Sequence, residues 1–176
     1  MTKPALLPPG ARPGFIGPIA VPADLWWVCA EPTPLAGMAY PRNGVWDALA
    51  DLGFRHVVDL TRDDARYDPA PLTSHAVALA DLVVTARPPD PVEDERRIRV
   101  AAQEVVDWWR AGEGVAVHCR GGRGRTGAVL GRALVLMGHD PDAVVDWLHR
   151  VQRTRGRRGW PEQDWQAEVV RRSPTG

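Results

Sequence analysis

The stretch VAVHCRGGRGRTGAVLG, residues 115–131, limits the fold more than any other part of the chain. GVAVHC (114–119) reads as a buried strand. A loop with Gly121, Gly122 and Gly124 follows it, and then an apolar helical segment from Arg125 to Met137. In such a strand–loop–helix unit the loop amides and the helix N-terminus converge on an anion. The glycines let the backbone curl closely around it, because no Cβ intervenes.

The rest of the chain repeats the alternation of strand and helix. LWWVCA (25–30) and LAGMAY (35–40) read as short strands, and Val45, Leu49 and Leu52 fall at helical spacing with Gly53 as a stop. RHVVDLT (55–61) is a buried strand, followed by a polar loop. HAVALADLVV (75–84) is at least partly strand. ARPPDP (86–91) is a loop, because three prolines in six residues end any helix. A long helix covers Glu93 to Arg110. Asp140 caps the next one with Pro141 at its first position, and a last short helix lies within 160–172. This order implies an α/β fold in a single domain. Its central, mostly parallel sheet has about four to five strands flanked by helices. Residues 1–24 form an irregular Pro-rich arm, 25–172 the domain and 173–176 a tail.

The formal net charge is zero, so the molecule as a whole is no generic polyanion binder. The arginines, however, cluster between Arg120 and Arg158, while the acids gather between Asp47 and Glu104, so the basic region attracts anions. The two cysteines, Cys29 and Cys119, are too few for a disulfide framework. No Cys or His spacing suggests a metal, and no cofactor is expected. No run approaches a membrane span, and no signal-peptide core is visible, so a cytoplasmic protein with reduced thiols is expected.

Cys119 ends the strand beneath the cradle, where a thiolate is placed for in-line attack on a bound phosphate. Arg125, six residues on, offers a planar fork for two phosphate oxygens, and the loop donors hold the charge of the transferring group. GRGRTG (122–127) also fits a dinucleotide loop, but helix, GHDPD and helix follow where a second strand ending in an acid would be needed. A Walker loop needs G-K-[ST], which is absent. A sulfurtransferase loop would be one residue shorter.

His118-Cys119-Arg120-Gly121-Gly122-Arg123-Gly124-Arg125-Thr126-Gly127 resembles the H-C-x-x-G-x-x-R-[ST]-G signature of the cysteine-based protein phosphatases, and the dual-specificity branch in particular. The resemblance extends over about residues 25–170. It implies a phosphocysteine intermediate on Cys119, phosphate binding by Arg125, a hydroxyl from Thr126 on the sulfur, and His118 ordering the loop from behind. It also implies a general acid in a loop upstream. Asp90, 29 residues before Cys119, is the expected acid, with Asp94 (more a helix cap) and Asp81 (in or beside a strand) as rivals. Gln163 in WPEQDW sits where relatives place a T-P-x-Q-like element that orients water; a polar residue in the first turn of a surface helix is the plainer reading.

The expected substrate is a phosphorylated protein carrying phosphotyrosine, phosphoserine or phosphothreonine. The basic variable positions Arg120 and Arg123 leave a small anionic phosphomonoester, such as a phosphoinositide or nucleotide, as the alternative. A basic nucleic-acid- or anion-binding module around RVQRTRGRRG (150–159) is the distant one, and no stable nucleic-acid partner is expected. Cys29 reads as a small buried hydrophobe, though a reversible bridge to Cys119 is conceivable. The oligomeric state is not encoded legibly.

Overall fold

The computed structural model describes residues 3–12, 24–41, 44–61 and 67–172. The elements in chain order are β1 (Trp26–Cys29), β2 (Leu35–Met38), α1 (Trp46–Asp51), β3 (Phe54–Asp59), β4 (Thr73–Ala76), α2 (Pro91–Arg110), β5 (Gly114–His118), α3 (Gly124–Leu136), α4 (Pro141–Thr154) and α5 (Asp164–Arg171). The strands form one five-stranded sheet in the order β1-β2-β5-β3-β4. β1 runs antiparallel to β2; the other three pairings are parallel.

Strand alternation divides the core in two. Val115 and Val117 of β5 join Val58, Leu35 and Val28 on the face packed by α2, α3, α4 and α5. Ala116 points the other way, into a smaller cluster with Phe54, Val57, Met38 and the Trp46 and Leu49 side chains of α1. Every residue of β5 is therefore buried, as a central parallel strand covered on both faces requires.

The helix ends follow local chemistry. Asp140 accepts from the Ala143 N–H at 2.8 Å, with Pro141 as the first helical residue. Gly53 stops α1 with φ +92°. α2 begins two residues earlier than expected, at Pro91, capped by Asp90.

The strand expected within 75–84 is shifted. β4 occupies 73–76, and 77–84 is irregular, with Leu79 and Leu82 buried as anchors of a loop. The arm is less detached than its prolines suggest. Leu7 N donates to Val28 O at 2.9 Å and Trp147 Nε1 to Leu7 O at 2.9 Å. The tail 173–176 and arm residues 13–23 lie outside the described residues.

Because β3, β4 and β5 are parallel, their C-terminal ends share one edge of the sheet. Residues 119–125, 59–61 and 77–81 are delivered there together, at the C-terminal edge where open α/β sheets bind ligands.

Candidate active site

Residues 119–125 wrap from the end of β5 into the first turn of α3. Outer donors hold the loop's carbonyls away from its centre. The Arg120 carbonyl accepts from Tyr40 N at 3.1 Å. That of Gly122 accepts from Trp26 Nε1 at 3.0 Å and Arg155 Nη1 at 2.8 Å. That of Gly124 accepts from Trp160 Nε1 at 3.2 Å. Outward bonding of alternate carbonyls is the arrangement that a loop whose N–H groups converge on an anion requires. Gly122 has φ +61°, and a Cβ there would strike the backbone of Met38 and Ala39. Only glycine fits that position.

Cys119 lies at the floor of the loop, 3% exposed. Thr126, in the first turn of α3, is fully buried, and its hydroxyl has no hydrogen-bond partner among the described residues. His118 is buried behind the loop. The Tyr67 hydroxyl meets its Nε2 at 2.5 Å, and Asp59 Oδ1 lies 3.7 Å away. Burial pushes the His118 imidazole below its usual range; Asp59 opposes this and Arg125 adds to it. A neutral His118 accepts the Tyr67 proton at Nε2. Burial, with Asp59 and Tyr40 nearby, pushes the Tyr67 phenol upward and keeps it a donor.

Arg125 is almost buried. Its Nη1 reaches Leu60 O at 3.3 Å, and its Nη2 pairs with Asp81 Oδ2 at 2.7 Å. Asp81 therefore stands at the mouth of the loop with its carboxylate on Arg125. Asp90, the expected acid, is engaged elsewhere. Its Oδ1 accepts from Glu93 N at 3.0 Å as the cap of α2, in an exposed position. Asp94, expected as the cap, is instead buried and accepts from Ala80 N at 2.8 Å, which anchors the loop carrying Asp81.

Gln163 caps α5 and also reaches out of it: its Nε2 donates to Leu82 O at 3.1 Å, tying the α5 entrance to the residue after Asp81. Arg123 does not face the cradle as a free cation. Its Nε donates to Gly159 O at 2.6 Å, and Nη1 lies 3.6 Å from Glu162. Arg120 is exposed.

Sequence reading missed Glu162, Tyr67, Trp26 and Arg155. Their link to the loop is tertiary and leaves no local signal, though a glutamate beside the expected Gln163 was in plain view. The conceivable bridge between the cysteines is excluded. Both are free thiols. Cys29 pairs with Leu35, which pairs with Val115, four residues from Cys119. That separation is about 13 Å along the sheet, well beyond disulfide reach. Burial pushes the Cys29 thiol up to about 11, and it rests on Thr33 O at 3.5 Å, as an inert core residue does.

Residues 23–162 match the family model described as PTP-SAK: Swiss Army Knife protein, DSP-PTPase phosphatase domain. The chain belongs to this family. It is a cysteine-dependent phosphatase domain, and the dual-specificity-like fold is shared by solved structures. Pseudomonas aeruginosa TpbA, as a Cys-to-Ser variant in complex with pTyr, is 22% identical over 88% of each chain with a TM-score of 0.61. Tk-PTP in its active form is 24% identical, over 77% of this chain and 88% of its own, at 0.58. PTPMT1 in complex with PI(5)P is 17% identical, over 83% and 92%, at 0.60. At these identities the likeness concerns the fold. Among the described residues, no helix of the phosphatase is long and apolar enough to cross a membrane.

Proposed function

We propose that the phosphatase hydrolyses phosphomonoesters on proteins, phosphotyrosine foremost, through a phosphocysteine intermediate. Loop amides and the Arg125 fork hold the phosphate. The Cys119 thiolate attacks phosphorus in line, and the P–O bond to the leaving group breaks. Asp81, in place of Asp90, protonates the departing oxygen. In the second step the Asp81 carboxylate takes a proton from water, the water oxygen bonds to phosphorus, and the P–S bond breaks to return the thiolate. Thr126 offers its hydroxyl to that sulfur. Gln163 holds the acid loop at Leu82 and leaves the water to Asp81.

The observation that carries this reading is Asp81 at 2.7 Å from Arg125 at the mouth of a loop that ends in a buried Cys119. A carboxylate touching the phosphate fork lies within reach of the leaving oxygen once phosphate takes its place. TpbA, a structural relative solved with pTyr, supports the choice of substrate. A reducing, cytoplasmic setting suits a nucleophilic thiol.

Purified protein is expected to hydrolyse an aryl phosphate at a rate unchanged by a chelator. Cys119→Ser is expected to abolish turnover while still binding phosphotyrosyl peptide. Retention of the rate by the serine variant refutes the mechanism.

A further inference from the structure

The two basic positions of the catalytic loop are not equivalent. Arg120 is exposed, whereas Arg123 is drawn against the 159–162 segment by Gly159 O and Glu162. Glu162 is partly buried. Its carboxylate rests on the Cα of Gly124, so closely that a Cβ there would collide with Oε2. The backbone of Glu162 is fixed by its N–H on Gln166 Oε1 at 2.8 Å, and neighbouring Gln163 ties the same segment to Leu82. Glu162 is thus held at the mouth of the loop on the same rim as Asp81. Burial raises the pull of its carboxyl for a proton. Arg123 opposes this, Asp81 adds to it, and Arg125 opposes it again. These are the neighbours that a carboxylate between the acid loop and the phosphate cradle must have.

We propose that Glu162 is a specificity-determining residue: its carboxylate disfavours substrates with a second phosphate beside the scissile one, and so selects singly phosphorylated peptides over inositol polyphosphates. The inference rests on the phosphatase reading above and narrows its substrate. A scissile phosphate is held by the amides and Arg125. A second phosphate on the Glu162 side meets the carboxylate, and the cation that would otherwise receive it, Arg123, is already engaged. A single phosphate meets neither obstacle.

The test compares kcat/KM of the full chain on three substrates: a singly phosphorylated tyrosyl peptide, the same peptide with an adjacent second phosphate, and an inositol bisphosphate. The readout is the ratio of doubly to singly phosphorylated substrate. In Glu162→Gln this ratio is expected to rise about tenfold. That is the factor for one unit charge acting over roughly 8 Å at an effective dielectric of about 30. Glu162→Asp is expected to keep the wild-type ratio. The double variant Glu162→Gln/Arg123→Gln is expected to fall between wild type and Glu162→Gln, because it removes one charge of each sign from the rim. An unchanged or lowered ratio in Glu162→Gln, or a double variant whose ratio exceeds that of Glu162→Gln, overturns the proposal. So does a wild-type preference for the doubly phosphorylated substrates. A small aryl phosphate serves as the control. If the wild type fails to hydrolyse it, the phosphatase reading fails; if hydrolysis persists with a flat ratio, only the role of Glu162 fails.

Discussion

Replacing Asp81 by Asn and Asp90 by Ala separates two roles that the sequence alone confuses. If Asp81 is the acid, Asp81→Asn removes a proton donor and lowers kcat by about 100- to 10,000-fold for an alkyl phosphate. Each tenfold corresponds to about 1.4 kcal/mol of barrier. An aryl phosphate with a good leaving group needs little protonation and is expected to lose far less. A second effect runs the other way. In the free phosphatase Asp81 holds Arg125 at 2.7 Å, a contact that an incoming phosphate must displace. The Asp81 side chain is 42% exposed, so solvent screening reduces that contact to about 1 kcal/mol. Removing it is expected to lower KM by about fivefold at that magnitude. Low kcat with low KM and a steep dependence on leaving group is thus the signature of Asp81→Asn. Asp90→Ala loses an N-cap worth about 1 kcal/mol, which lowers Tm by about 2–4 °C in a chain of this size, with no dependence on the leaving group. Steady-state kinetics on a leaving-group series, together with thermal melts, read both. If Asp90→Ala shows the leaving-group dependence and Asp81→Asn does not, the assignment of the acid is wrong.

Gly122→Ala is expected to remove most activity, since its Cβ meets backbone and its φ of +61° is strained for alanine; near wild-type kcat would show that the loop tolerates another path. His118 has its proton affinity lowered by burial, so the stability it contributes is present above about pH 6.5, the ordinary histidine value, and is lost as pH falls through its lower folded value. Melts between pH 7.5 and 5 are expected to show a fall that is shallower in His118→Gln; an equal slope in both would remove His118 as its source. Cys29→Ala is expected to leave peroxide inactivation and its reversal by thiols unchanged, because Cys29 cannot reach Cys119; a clear loss of reversibility in that variant would refute the separation drawn along the sheet.

What the sequence shows well is what neighbours in the chain determine. The strand, the glycines, Cys119 and Arg125 lie within a dozen residues, and the loop they form depends on local geometry. The β4 strand was misplaced because TSHA has little apolar content, while the leucines just beyond it imitate a strand. They are buried for another reason, as anchors of the loop bearing Asp81. The N-cap role of Asp90 gave a local warning. Asp-Pro with Glu three residues after the Asp is a helix start, the same chemistry read correctly at Asp140-Pro141.

No comparable warning existed for the rim. Asp81 meets Arg125 across 44 residues, and Arg123 meets Gly159 across 36. These encounters set which carboxylate stands on Arg125 and which arginine is drawn toward the 159–162 segment. Chemistry held within one loop can be read from a motif, whereas discrimination among substrates depends on long-range pairing around it. The pair Arg120 and Arg123 looked like one basic signal toward polyanionic substrates. With Arg123 engaged by Gly159 and Glu162, a carboxylate stands beside that signal.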